Sequence, residues 1–289
     1  MTARLLNITP AEYRNGPIDV PWLSQSIAHT LISQSPLHAW AQHRMLGGIN
    51  RPPTRALDDG TIIHKILLGT SASEIVVLDH DEYRTNVAKA DRDAVLAAGH
   101  IPIKRKDYEL LELAATAIGQ RFKSLGIPLD GDKEVSIHWE EQGRHGPVHC
   151  CAMLDLLAPN GMIFDFKSTR SATLKSCRRA MTDYGYYLQD VVYRRAINAL
   201  MPELEGRAAM AFVFAELDPP YAVSKPRVTS NAMREMGEKA WRRAVLTWEQ
   251  CLLTDTWPGP DEDGADILEP MPYALTDAME RETEEEGDE

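Results

Sequence analysis

The chain has 289 residues, 44% of them apolar and 26% charged, with a formal net charge of -12. These values exclude wholesale disorder, and no stretch approaches the roughly 18 uncharged apolar residues of a membrane span, so a cytoplasmic protein with no membrane partner is expected. From Asp255 onward there are 14 acidic residues and one basic, which leaves 30 basic against 29 acidic before it, so the body is near neutral and a local basic groove is permitted.

Residues 1–21 hold Pro10, Pro17 and Pro21 with little periodicity and read as an irregular lead-in. A first helix is predicted from near Ser24, with Ile27, Leu31 and Ile32 at helical spacing. Ser35-Pro36 supplies a cap and a first-turn proline for a second helix over 37–46. Residues 47–57 are rich in Gly, Pro and Arg and form a loop, and 58–68 read as a helix closed by Gly69. A β-branched run at 74–78 is strand-like, and helical blocks at 83–99 and 107–124 are separated by Ile101-Pro102-Ile103. Strands are predicted over 134–140, 148–157 and 162–167. One long helix over 174–199, a strand over 208–216 and a helix over 230–253 follow, the last with Trp241 and Trp248 two turns apart on similar faces.

Helices, an antiparallel strand group, a crossover helix and a further strand indicate a mixed α/β domain over 22–254 with a central sheet. Residues 255–289 form an acidic tail, disordered over 277–289, that is either simply solvated or a cover for a basic groove. Cys150, Cys151, Cys177 and Cys251 lack the short gaps of a zinc or iron-sulfur site, so buried free thiols are expected, with no disulfide.

The chemistry lies in Asp155-Leu-Leu-Ala-Pro-Asn-Gly-Met-Ile-Phe-Asp165-Phe-Lys167, two apolar strands joined at Pro159-Asn160-Gly161. These turn residues suit a three-residue hairpin loop ending in a left-handed glycine. That loop sets Ala158 opposite Met162 and therefore Asp155 opposite Asp165. A two-residue Asn-Gly loop would shift the register by one and put the carboxylates on opposite faces. In the first register Lys167 shares the face of Asp165, while Phe164 and Phe166 point to the core. Two opposed carboxylates repel unless a hard cation lies between them. An acid pair, a cation and a lysine are what phosphodiester hydrolysis needs, to polarise the phosphoryl group, acidify a water and orient it. A surface salt bridge on an ordinary hairpin uses the same residues, and the hairpin alone leaves both readings open.

Asp155, nine residues, then Asp165-Phe166-Lys167 resembles the core motif of the PD-(D/E)XK nucleases, with Asp in place of Glu at the second acidic position. The wider chain, over roughly residues 22–216, resembles the RecB-type branch and particularly the RecE-like phage and prophage exonucleases. Gly60-Thr-Ile-Ile-His64-Lys-Ile-Leu67 is similar to that branch's Gly-x-x-x-His-x-x-Leu helix, and Gln189-Asp-Val-Val-Tyr193 to its Gln-x-x-x-Tyr motif. Residues four apart share a helix face, so Gln189 and Tyr193 can both reach the site.

The resemblance implies a restriction-endonuclease-like core, a mixed sheet flanked by helices. It implies one or two Mg²⁺ or Mn²⁺ ions on His64, Asp155, Asp165 and the backbone carbonyl of Phe166, with Lys167 positioning the attacking water. Related enzymes often carry an acid where Glu134 stands, which helps to hold metal or water; an exposed strand end is the alternative. Lys175, Arg178, Arg179, Arg194 and Arg195 give the following helices a basic character suited to DNA phosphates, which a solvated face would also explain. RecE-like relatives degrade linear duplex DNA ends 5′ to 3′ in recombination, assemble as ring-shaped homo-oligomers and work with a single-strand annealing recombinase. Three other readings remain open: a Cas4-like end-processing nuclease without the iron-sulfur cluster, a non-catalytic DNA-binding protein of the same fold, and an unrelated hydrolase of small phosphate esters.

Overall fold

A computed structural model describes residues 2–49, 55–70 and 74–260. Its compact unit runs to Pro258, with Trp257 packed on Trp248, so the first residues of the expected tail belong to the fold; the expectations for residues 261–289, including disorder over 277–289, fall outside the described residues. No described helix is long and apolar enough to cross a membrane, and all four cysteines are buried free thiols.

The lead-in is not irregular. Strand β1 (Ala3–Leu6) forms the sheet edge, antiparallel to β4 (Asp132–Gln142), with Ala3 opposite Trp139 and Leu6 opposite Ser136. Helix α1 (Pro10–Asn15) follows, started by a capping box in which the Thr9 side chain and Glu12 bond each other's backbone N–H. Next come α2 (Gln25–Ser33), capped by Ser24, and α3 (Pro36–Gln42), capped by Ser35 with Pro36 in the first turn. Helix α4 (Arg55–Leu68) ends before Gly69, whose φ of 67° closes it.

Residues 75–125 add a second, two-stranded sheet and two helices. Strands β2 (Ile75–Leu78) and β3 (Ile101–Lys104) pair in parallel, joined by α5 (Asn86–Ala97), and α6 (Arg105–Leu125) follows directly. The segment around Pro102, expected to separate two helices, is thus a strand. A two-stranded sheet has only edges, where a proline is tolerated.

In the main sheet, ordered β1-β4-β5-β6-β7, strand β5 (Pro147–Leu157) runs antiparallel to β4 and β6 (Met162–Thr169), and β6 runs parallel to β7 (Ala209–Glu216). The crossover is two helices, α7 (Leu174–Asp183) and α8 (Tyr186–Leu200), where one was expected. The break is at Gly185, with φ 65°, where an added Cβ would lie 2.3 Å from the His29 ring. Only glycine fits that conformation and that contact.

Two cores sandwich the sheet. One face packs Ile137, Trp139, Leu154, Phe212 and Phe214 against residues of α2, α8 and α9 (Asn231–Thr254), with Trp241 and Trp248 fully buried. On the other face Leu156, Phe164, Phe166 and Val213 pack against Ile62 and Ile63 of α4 and Ile118 and Phe122 of α6. Glu249 of α9 ties the turn between β4 and β5: its carboxylate accepts the backbone N–H groups of Arg144, His145 and Gly146 at 2.6, 2.7 and 2.9 Å. Burial opposes its charge, yet these donors hold the carboxyl below its ordinary value. Glu249→Ala leaves three donors without their carboxylate and is expected to cost about 2–4 kcal/mol in urea denaturation at pH 7. Because the folded pKa is depressed, this stabilisation is present above the unfolded value of about 4.5 and is lost as pH falls through the folded one; the gap between variant and wild type should close in acid.

Candidate active site

The hairpin adopts the three-residue loop. The Ala158 N–H donates to the Met162 carbonyl at 2.9 Å, Gly161 has φ 82°, and Leu157 pairs with Ile163 and Leu156 with Phe164. This register carries on to set Asp155 opposite Asp165, but the backbone ladder stops one pair short. Asp155 fills the gap with its side chain, whose Oδ2 accepts the Phe166 N–H at 2.9 Å. On its other side the β4 ladder omits the pairing of Asp155 with Glu134, which stands at φ 53°. A left-handed conformation in a non-glycine residue costs on the order of 1 kcal/mol or more and concentrates at functional sites.

Both helical layers send a side chain into the opening between β5 and β6. From α4, His64 Nε2 lies 2.7 Å from Asp155 Oδ2. Gly60, one turn earlier, lies beneath Ser168, and a Cβ there would approach the serine hydroxyl to 2.9 Å. From α8, Gln189 donates its amide N–H to Asp165 Oδ2 at 2.5 Å. Lys167 Nζ lies 2.6 Å from Asp165 Oδ1 and 4.6 Å from the centre of the Tyr186 ring. Five of the predicted residues, His64, Asp155, Asp165, Lys167 and Gln189, are thereby brought together. Tyr193 is one helical turn from Gln189. Burial first, then the charges of Asp165 and Asp155, hold its hydroxyl well above the ordinary value, so it is a neutral group facing the acid pair.

The two carboxylates are driven apart in acidity. Burial, then the charge of Asp155, pushes Asp165 up to about 6 against the pull of Lys167. Burial also works against the Asp155 charge, but His64, Lys167 and the Phe166 N–H outweigh it and hold this carboxyl below its ordinary value. His64 is raised: burial disfavours the imidazolium, and Asp155 more than compensates. Lys167 is likewise raised by Asp165 in spite of burial.

A divalent ion can be tested against these groups. Among the described residues no three His, Cys, Asp or Glu side chains form a ready-made cage. Asp165 Oδ1, however, is buried and has no aligned hydrogen bond, only the ion-pair contact with Lys167. Two opposed carboxylates, Asp165 buried and Asp155 half-buried, beside an imidazole, fit a hard oxygen-seeking cation.

Not every expected residue joins the site. Arg194 and Arg195 do not face a ligand: Arg194 bonds the fully buried Asp190 at 2.9 Å and the Ala208 carbonyl, and Arg195 bridges Glu141 at 3.0 Å and Glu238 at 2.8 Å. Their charges are committed within the fold, which corrects the expectation of phosphate contacts. Lys175, Arg178 and Arg179 are exposed on α7. Tyr186 was not singled out in the sequence, although it shares a face with Gln189 and Tyr193 at helical spacing.

Residues 26–263 match a family model described as a PDDEXK-like domain of unknown function, DUF3799. The chain belongs to this PDDEXK-like family. In keeping with that, the PDDEXK-like domain resembles the crystal structure of a candidate exonuclease from Eubacterium rectale, with a TM-score of 0.59 at 12% identity over 93% of this chain and 96% of that one. At that identity the likeness concerns the fold. A second structure, of SSO0001, covers 69% of this chain and 96% of its own at 10% identity; its TM-score of 0.26 carries no argument. No curated protein matches the PDDEXK-like domain. The PDDEXK-like fold is thus shown, and Asp155, Asp165 and Lys167 lie close together within it.

Proposed function

We propose that the protein is a Mg²⁺- or Mn²⁺-dependent deoxyribonuclease that degrades linear duplex DNA from its ends, 5′ to 3′, in recombination. The observation that carries this reading is the joining of Asp155, Asp165, Lys167, His64 and Gln189 at the point where β5 and β6 part. Asp155, Asp165, the Phe166 carbonyl and His64 would hold one or two ions, with Glu134 alongside. A bound ion supplies charge neutralisation at the phosphoryl oxygens and a more acidic water. The chain's own groups do the rest. The Lys167 ammonium, fixed between Asp165 and the Tyr186 ring, orients a water and stabilises charge developing on phosphate. Gln189 holds Asp165 in place, and Tyr193 offers a neutral hydroxyl. Lys175, Arg178 and Arg179 are the cations we assign to the DNA backbone.

Ring assembly, an annealing recombinase as partner and a cytoplasmic location belong to the same reading through the RecE-like resemblance. Its test compares linear duplex DNA, covalently closed circular DNA and a mononucleotide phosphate ester in Mg²⁺. Degradation of the linear duplex alone is expected. Hydrolysis of the ester at a comparable rate would favour a small-ester hydrolase, and cutting of closed circles would remove the requirement for ends.

A further inference from the structure

Immediately beyond Lys167 the end of β6 opens into a cleft of about 820 Å³, within the rough 300–1,000 Å³ range of ligand sites. Ser168, Thr169, Arg170 and Ser171 form one wall, and Arg179 and Tyr184 of the α7 end form another. Tyr184 is 63% exposed, in a chain whose other large aromatic groups near the site are packed. Its exposure follows from the break at Gly185, which ends α7 and turns the chain before α8 begins. The ring is also linked to the catalytic lysine. Tyr184 and Tyr186 have ring centres 5.7 Å apart, and Tyr186 in turn lies 4.6 Å from Lys167 Nζ.

We infer that this cleft binds an unpaired stretch of nucleic acid, with the Tyr184 ring stacked on a base next to the phosphodiester under attack. The inference rests on the nuclease reading and adds a substrate feature to it. A ring face exposed to solvent can stack only on a base whose own face is free, which a duplex does not present along its length. Arg170, exposed and without an ion pair among the described residues, and Arg179 stand where backbone phosphates would pass. Acidic groups line the cleft as well: Asp107 is held by Lys104 at 3.2 Å and Asp183 by Arg179 at 3.0 Å, and Asp59 and Asp218 complete the set. With four aspartates against two arginines in the lining, charge does not draw a polyanion in, and stacking must carry much of the affinity. The strand that enters is therefore one already separated from its complement.

The test is fluorescence anisotropy of a labelled oligothymidylate, and of a blunt hairpin duplex, with the full chain in EDTA. The proteins compared are wild type, Tyr184→Ala and Tyr184→Phe. Tyr184→Ala should weaken single-strand binding on the order of ten-fold, Tyr184→Phe should restore it, and duplex binding should change less than about two-fold. An unchanged single-strand affinity in Tyr184→Ala, an equal loss on both ligands, or no oligothymidylate binding by wild type would overturn the inference. Metal-dependent cleavage of linear duplex by the same wild-type preparation, alongside any of those results, would remove the subsite and leave the nuclease reading standing.

Discussion

Lys167→Ala should lower single-turnover cleavage of linear duplex DNA by about 10²–10³-fold or more, with Mn²⁺ affinity changed only a few-fold in calorimetric titration. The ammonium is 2.6 Å from Asp165 Oδ1, so it stands beside the carboxylates proposed to hold metal without itself being a candidate ligand. Its removal takes away the group that orients water and leaves the oxygen donors in place. It also leaves Asp165, 1% exposed, without its cation, and a buried carboxylate that loses its partner is destabilising. The metal-free variant should therefore melt at a lower temperature than wild type, and added Mn²⁺ should close part of the gap. A variant that loses metal affinity as fully as it loses turnover would make Lys167 a structural clamp on Asp165 instead.

Asp165→Asn should do the opposite to stability while abolishing activity. The carboxyl is pushed up to about 6 by burial and by Asp155, so the folded protein holds its proton more tightly than the unfolded chain does. A raised carboxyl stabilises the fold fully below its unfolded value near 4, and that contribution is lost as pH rises through about 6. Above pH 6 the ionised pair is a liability on the order of 1–3 kcal/mol, which the neutral amide avoids at nearly the same size. In EDTA at pH 8 the variant should melt at or above the wild-type temperature, with the advantage fading toward pH 4. Lower stability of the variant at pH 8 would mean that the ion pair with Lys167 outweighs the repulsion between the carboxylates.

The centre of the fold was legible because one turn fixes it. Pro159-Asn160-Gly161 selects a loop length, the loop selects a register, and the register decides which face Asp155 shares. The capping serines, Ser24 and Ser35, were equally readable, since a hydroxyl before a helical run satisfies N–H groups that nothing else nearby can reach. What the sequence hid is mostly tertiary. Four residues of β1 carry no pattern of their own and become a strand only because β4 leaves an edge unpaired. Thr9-Pro10-Ala11-Glu12 did carry a capping-box signal that the surrounding prolines masked.

The double helix α7–α8 looked continuous because one glycine in a helical pattern is usually tolerated. Contact with His29, more than 150 positions away along the chain, makes it a break. Charge was the least transferable signal. Arg194 and Arg195 read as a DNA-facing pair, yet Asp190 four residues before Arg194 had already offered the helical spacing of an internal ion pair. The splaying of β5 from β6 at Asp155, which makes room for His64 and Gln189 to meet, is a departure from strand regularity that periodicity cannot express.

The central claim is that these side chains form a metal-dependent hydrolytic centre. Its most direct test is the fate of linear duplex DNA labelled separately at its 5′ and 3′ ends, incubated with wild type and with Asp155→Ala in Mg²⁺ and in EDTA. Loss of the 5′ label first, in Mg²⁺ and with wild type only, is the predicted result. Intact DNA with wild type in every divalent metal tried, or equal degradation by Asp155→Ala, would contradict it.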